Sequence, residues 1–341
     1  MKIPMRTPRG PWRARSRSCL SHDRSGLLPR VPPFRFSAAG RKSGFTLIEL
    51  MVALALSMLV VGGALRLLST QRQGNERHDA VVDVRQRARF CLDAIARDLH
   101  ATGLWARALD PTTVIASTNN GGPVAGTDTL TVRYVSGVEQ ATITTVPPTL
   151  TLASLDWDGD GRDDLDGDDF GDNKAVDMVV SEGPFGERVE RVQATGVAGN
   201  LLTLRPPGVV GSYDRPMAGE LKQIAYSVGI FVAPTGERIP CLYRERVRFD
   251  TGGNRTSQRQ QLATDIDDLQ LRFGGAPPVA DDLAAVGAAN VTAVTITVVA
   301  RSDREILPAP APFPQGQDSA RAPAADRRLR ASYSLTVALR N

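Results

Sequence analysis

The densest group of chemistry-bearing side chains in this sequence is Asp156-Trp157-Asp158-Gly159-Asp160-Gly161-Arg162-Asp163-Asp164, with Asp166, Asp168 and Asp169 following. Carboxylates at the first, third and fifth positions of a loop, a glycine at the sixth to turn the chain, and a carboxylate at the ninth can wrap a hard cation in oxygen ligands. In that scheme Asp156, Asp158, Asp160 and Asp164 are the side-chain ligands, and Arg162 offers its backbone carbonyl from the seventh position. The twelfth position is Gly167, where an EF-hand needs a bidentate glutamate, and no helical pattern flanks the loop. Asp163, Asp166 or Asp168 would then complete the shell. So many carboxylates repel one another unless a cation neutralises them, which favours calcium as the bound cofactor. The alternative is a solvated acidic turn that holds nothing specific.

Catalytic machinery is absent from the expected motifs. There is no G-x-S-x-G elbow, H-E-x-x-H pair, Walker loop or dinucleotide G-x-G-x-x-G after a strand. His78 and His100 lie too far apart for an H-x-x-x-H metal pair and read as surface or packing residues. Asp267 and Asp268 could be drawn as a carboxylate dyad, but nothing separates them from charges at a strand edge. The expectation is therefore no enzymatic activity and no catalytic residue.

A second signal is the run Arg41-Lys42-Ser43-Gly44-Phe45-Thr46-Leu47-Ile48-Glu49-Leu50, after which no charge recurs until Arg66. About 20 apolar residues suffice to cross the ~30 Å hydrocarbon core of a bilayer as a helix, so Phe45 to Leu65 is a membrane span with a basic flank. Glu49 breaks the pattern. A carboxylate in such a segment costs about 2.5–3.5 kcal/mol on insertion scales, so it needs a partner or a function. The bland reading is an ordinary signal anchor with a stray glutamate.

The spacing G-F-T-L-I-E-L-M before a membrane-length apolar run resembles the processing site of type IV prepilins and of the pseudopilins of type II secretion. That resemblance implies cleavage after Gly44 by a prepilin peptidase and N-methylation of the new terminus, Phe45. It also implies an assembly role for Glu49, which would neutralise the terminal amine of a neighbouring subunit inside a filament. The physics agrees, because opposite charges in a low-dielectric bundle attract strongly while either one alone is expensive. The segment from Arg87 to Leu99 and the closing strand ending Leu339-Arg340-Asn341 are similar to PilW-type minor pilins.

Charge supports an exported product. The chain has 341 residues, with 41 Lys plus Arg and 37 Asp plus Glu. Residues 1–44 hold eleven of the basic residues and one acid, Asp23, leaving 30 basic and 36 acidic residues beyond Gly44, a net charge of −6. A basic flank is what keeps a leader on the cytoplasmic side while the rest crosses. Arg13, Arg15 and Arg17 could instead form a nucleic-acid arm, but cleavage would discard it, and no direct nucleic-acid binding is expected. The leader is long for a prepilin, which a start at a later codon would explain. Cys91 and Cys241 are the two cysteines beyond it, and they either form one bridge in an oxidising compartment or pack separately, the second being favoured.

The elements that must carry these residues are a long helix and many strands. No proline occurs between Phe45 and Asp110, so one helix is expected over 45–104. Val81, Val84, Ala88, Cys91 or Leu92, Ile95 and Leu99 follow helical spacing, opposite Arg85, Arg89, Asp93 and Arg97. Gly62 and Gly63 mark either a place where the helix loosens on assembly or a site of close helix packing. Period-two patterns then predict strands at Thr129 to Val135, Lys222 to Ile230, Leu269 to Phe273, Val291 to Val299 and Ser332 to Leu339. The proline-rich stretch 308–328 reads as a mobile loop.

The expected fold is thus α+β, with a long N-terminal helix, membrane-spanning and then amphipathic, packed on an antiparallel β-rich head at 105–341. The resemblance implies a minor type IV pilin built into the pilus through its helix, in a tip or priming complex supporting biogenesis, motility, adhesion or DNA uptake. Its partners would be the prepilin peptidase, other minor and major pilins, a tip adhesin, and inner-membrane lipid before assembly, with the N-terminus cytoplasmic. Two alternatives stay open: a J-type minor pseudopilin of type II secretion, and a non-polymerising, membrane-anchored calcium-binding adhesin.

Overall fold

Helix α1 runs from Leu47 to Ala101 and is the first element of the computed structural model, which describes residues 46–102, 114–156, 163, 165, 174–182, 188–250, 255–275, 279–314 and 326–339. The chain divides into two compact units at Gly63–Ala64. In the first unit the large apolar side chains from Leu47 to Val61 are all exposed, and Ser57 within that run donates its hydroxyl to the Ala53 carbonyl at 2.8 Å. A hydroxyl satisfied by its own helix leaves nothing polar unpaired on an apolar surface. α1 is helical through Gly62 and Gly63, and a Cβ at either would meet nothing within 4 Å. No packing within the chain itself therefore demands glycine there.

In the second unit α1 becomes amphipathic. It buries Ala80, Val84, Ala88, Cys91, Leu92, Ile95, Ala96, Asp98 and Leu99. Val81, expected on this face, is exposed, and Ala80 takes its place. The stripe is therefore rotated slightly from the reading, and it contains a carboxylate.

Twelve strands follow: β1 (Ile115–Thr118), β2 (Thr129–Thr145), β3 (Pro148–Leu152), β4 (Lys174–Glu182), β5 (Val189–Ala198), β6 (Leu201–Leu204), β7 (Pro216–Val232), β8 (Arg238–Asp250), β9 (Arg255–Thr264), β10 (Ile266–Gly275), β11 (Val291–Glu305) and β12 (Arg328–Ala338). A one-turn helix, α2 (Leu283–Val286), sits between β10 and β11 and is capped by the Asp282 side chain. The five strands read from sequence fall within β2, β7, β10, β11 and β12 or overlap them, and all prove longer. β12 shows the expected alternation: Tyr333, Leu335 and Val337 face inward, while Ser334 and Thr336 pair outward with Thr297 and Thr295 at 2.8 and 2.9 Å.

The strands form a nine-stranded antiparallel sheet and a separate three-stranded one, β10-β11-β12. The second half of α1 is covered by both. Leu130, Val132, Ile224, Tyr226, Val228 and Leu242 from the large sheet and Leu269, Leu271, Phe273, Val294, Ile296 and Val298 from the small one share a single apolar cluster with the α1 stripe. Each large side chain buried this way contributes about 1.5–3 kcal/mol.

The long strands β2 and β7 also serve a second core. Their first-to-last pairings with β3, β6, β5 and β4 close a ring, since β2 pairs β3, β3 pairs β6, β6 pairs β5, β5 pairs β4, β4 pairs β7, and β7 returns to β2. Leu150, Leu152, Met178, Val180, Val192, Leu202 and Leu204 fill this small barrel. β2 bends into it where register slips between Ser136 and Glu139, with Gly137 at φ 64. The crossing is tight. A Cβ on the facing Gly219 would stand 2.7 Å from the Ser136 carbonyl oxygen and from Val135 Cγ1.

Candidate functional site

Glu49 occupies the first turn of α1, three residues after Thr46. The Glu49 amide donates to the Thr46 hydroxyl at 3.3 Å, and the Thr46 amide donates back to Glu49 Oε2 at 3.4 Å. This reciprocal pair is a capping box, which satisfies two of the orphan donors at a helix N-terminus and places a carboxylate at the positive end of the helix dipole. The sequence pattern T-L-I-E at 46–49 carries that signal. Glu49 is thus held at the mouth of the helix by local geometry, and it is exposed. Gly44 and Phe45 lie outside the described residues.

Of the acidic loop, Asp156 is half-buried and its amide donates to the Ser154 hydroxyl at 3.1 Å, while Asp163 is exposed. Asp158, Asp160, Arg162 and Asp164 lie outside the described residues, as do Asp166, Asp168 and Asp169. Among the described residues no group of three or more acidic, histidine or cysteine side chains could hold a metal ion. Leu155 and Leu165, which bracket most of the loop, are both fully buried in the barrel core.

The carboxylates that structure brings together are others. Asp98, on the buried face of α1, accepts from Arg244 of β8 and from the hydroxyls of Tyr226 and Tyr134. Burial, reinforced by the Asp98 charge, pushes the Tyr134 phenol up to about 12. A larger group ties α1 to the small sheet: Asp265 pairs with Arg87 at 3.0 Å and with Arg301 at 3.2 Å, and Asp267 pairs with Arg330 at 2.6 Å. Asp267 and Asp268 are therefore buried members of networks, not strand-edge charges: Asp267 pairs with Arg301 and Arg330, and Asp268 accepts from Gln270 at 3.1 Å, as buried carboxylates require partners. The only signal in the sequence was Asp98 itself, a carboxylate three residues after Ile95 on an otherwise apolar helical face.

Cys91 and Cys241 are both buried and free. Burial pushes the Cys91 thiol up to about 12, which makes it a packing residue with little thiolate to react. His78 and His100 are exposed on α1.

Two protein-family models match the chain. Residues 40–65 match the prokaryotic N-terminal methylation motif, and residues 230–341 match type IV pilus-assembly protein W. The chain is similar to PilW-type prepilins at both ends. No curated protein and no solved structure matches it. The PilW-matching region runs from the end of β7 through β12 and so contains the small sheet, the Arg244 partner of Asp98 and the acids of β10. The barrel strands β3 to β6 lie outside both matches, in keeping with the weak signals of the middle of the sequence. The two matches support a minor pilin related to the type IV pilus. Its helix Leu47–Ala101 is long and apolar enough in its first part to cross a membrane.

Proposed function

We propose that this PilW-type chain is cleaved after Gly44, N-methylated on Phe45, and built into a type IV pilus through the first part of α1, with Glu49 neutralising the terminal amine of a neighbouring subunit. The observation that carries the reading is a methylation motif opening onto a helix whose large apolar side chains from Leu47 to Val61 are all exposed and whose one early charge is a pre-positioned carboxylate. Before assembly the helix rests in the inner membrane with its N-terminus cytoplasmic; afterwards the head stands in the periplasm and on the cell-surface pilus. A head with two cores is bulky, and a filament tip accommodates bulk most easily. We therefore place the subunit in a tip or priming complex with other minor and major pilins and a tip adhesin, serving biogenesis, motility or adhesion.

The acidic loop is proposed as a calcium site of that head, built on Asp156, Asp158, Asp160, the Arg162 carbonyl and Asp164. Its support is the alternating spacing and the anchoring of Leu155 and Leu165 in the barrel.

Intact mass and N-terminal sequencing of the native protein from membranes and from sheared filaments test the reading. An N-methylated Phe45 terminus in the filament fraction is expected. A chain that keeps residues before Gly44 and occurs only in membranes would overturn it and favour the anchored adhesin. Co-fractionation with a type II secretion apparatus would favour the pseudopilin.

A further inference from the structure

β9 closes one end of the nine-stranded sheet. β8 pairs with one of its edges, and among the described residues no strand pairs with the other. Register with β8 is continuous from Arg255 to Gln261, and 256–261 are exposed. Sheets usually blunt such an edge with lysine, proline, a bulge along its length or a covering loop. The sequence Arg-Thr-Ser-Gln-Arg-Gln-Gln-Leu-Ala-Thr has no lysine and no proline, and its register shift comes only near its end, past Gln261. A regular, open strand edge offers a row of backbone donors and acceptors for one more strand.

The far end of this edge runs into a groove of about 430 Å³ between β9 and α1, lined by Gln86, Arg87 and Phe90 on the helix and by residues 261–264 on the strand. Phe90 is 54% exposed, and Val82, two turns before it on the same face, is 51% exposed. Large apolar side chains left open beside an unpaired strand edge mark an interaction surface rather than scattered exposure.

Charge selects the occupant. β9 carries two arginines and no acid. The Arg259 guanidinium lies 3.6 Å from the centroid of the Tyr243 ring, so the cation is laid over the outer sheet face by stacking. One carboxylate, Glu245 of β8, stands opposite it in register. A second copy of β9 would bring two further arginines and no acid to this edge, so its charge repels where an acidic strand's would complement. We infer that β9 accepts an extended acidic segment of a partner protein by strand addition, with its carboxylates toward Arg259 and an apolar side chain in the Phe90 groove. The inference goes beyond the filament reading and does not depend on it.

The test is hydrogen exchange on the full chain in detergent micelles, with a ten-residue peptide of alternating valine and glutamate as probe. Two controls are the same peptide with lysine for glutamate, and a version N-methylated at every second residue, which cannot pair. The Val-Glu peptide should slow exchange of the 255–262 amides at least fivefold while neither control does so, and Arg259→Glu should transfer the protection to the lysine peptide. Phe90→Ser, at an exposed helix position, should weaken Val-Glu binding at least threefold with the fold intact. No protection of β9, equal protection by the lysine peptide, or protection that grows with protein concentration alone would overturn the proposal, the last by showing a second copy as occupant.

Discussion

Arg244 of β8 grips Asp98 of α1 with a forked ion pair, its Nη2 at 3.0 Å and its Nε at 3.1 Å from the same Oδ2. Tyr226 donates to that oxygen at 2.6 Å, and Tyr134 to Oδ1 at 3.3 Å. The pair joins the last turn of the helix to strands β2, β7 and β8 at a point where both partners are largely shielded from water. Its value lies in how much is stranded when one member goes: a guanidinium and a buried phenol lose their acceptor at once. Asp98→Ala should therefore destabilise the head by about 3 kcal/mol, and Asp98→Asn by about half that, since an amide oxygen still accepts from Tyr226. Urea unfolding followed by tyrosine and tryptophan fluorescence measures both. Near-equal losses would show that the ion pair, and not the hydroxyl hydrogen bonds, dominates.

The capping box separates two roles of Glu49. Glutamine caps as glutamate does but carries no charge. Under the assembly reading, Glu49→Gln and Glu49→Ala should both be processed normally, and both should be lost from sheared filaments. Only the alanine variant should also fray the helix, at a cost of about 1 kcal/mol. Immunoblots of membrane and filament fractions read the outcome; a glutamine variant that assembles like the native chain would make the residue a cap and nothing more.

Asp326 offers a pH signature. Arg330 holds it with Nη1 at 2.5 Å and Nη2 at 2.8 Å, which lowers its carboxyl from 3.8 to about 2. A group whose pKa is lower folded than unfolded stabilises above its unfolded value and loses that contribution as pH falls through its folded value. Native protein should exceed Asp326→Asn by about 1–2 kcal/mol at pH 6, and the two should converge by about pH 2. Urea midpoints across that range check it. A gap that persists at pH 2 would assign the difference to packing.

Calcium should stabilise the barrel side of the head. Loops of this kind in extracellular modules bind at about 10⁻⁴–10⁻³ M, so 10 mM calcium at the tighter end would add roughly 2.7 kcal/mol. Thermal unfolding should shift upward with calcium, revert with EGTA, and stop responding in Asp158→Ala and Asp160→Ala. An equal response to magnesium, or none to either ion, would leave a solvated acidic turn.

Much of the α+β layout is legible in the sequence because its cues are local. The proline-free run, the basic flank, Glu49 at its spacing, and the alternation of β12 each fit within one element's length. Seven strands escaped for physical reasons. β6 spans four residues, too few to show a period, and β8 interleaves Arg244, Arg246 and Arg248 because two of them turn toward the partners Asp98 and Glu220. β9 is polar as far as Gln261, with 256–261 exposed, and only Leu262 and Ala263 at its end reach the core. The candidate loop shows its spacing in sequence, but not the burial of Leu155 and Leu165 that anchors it.

The sequence by itself determined that this chain has a prepilin-type N-terminus, a helix apolar enough for a membrane in its first part and amphipathic in its second, and a β-rich remainder. Periodicity and motif spacing report how a segment treats water, and that is settled within a few turns or one strand. Only the tertiary structure decided that β2 and β7 are shared between a helix-covered sheet and a closed barrel, that Asp98 meets Arg244 across 146 positions of chain, and that among the described residues no strand pairs with the outer edge of β9. Those outcomes depend on which distant groups satisfy each backbone bond and each buried charge. No local pattern encodes that choice, because it is made by the packing of the whole head.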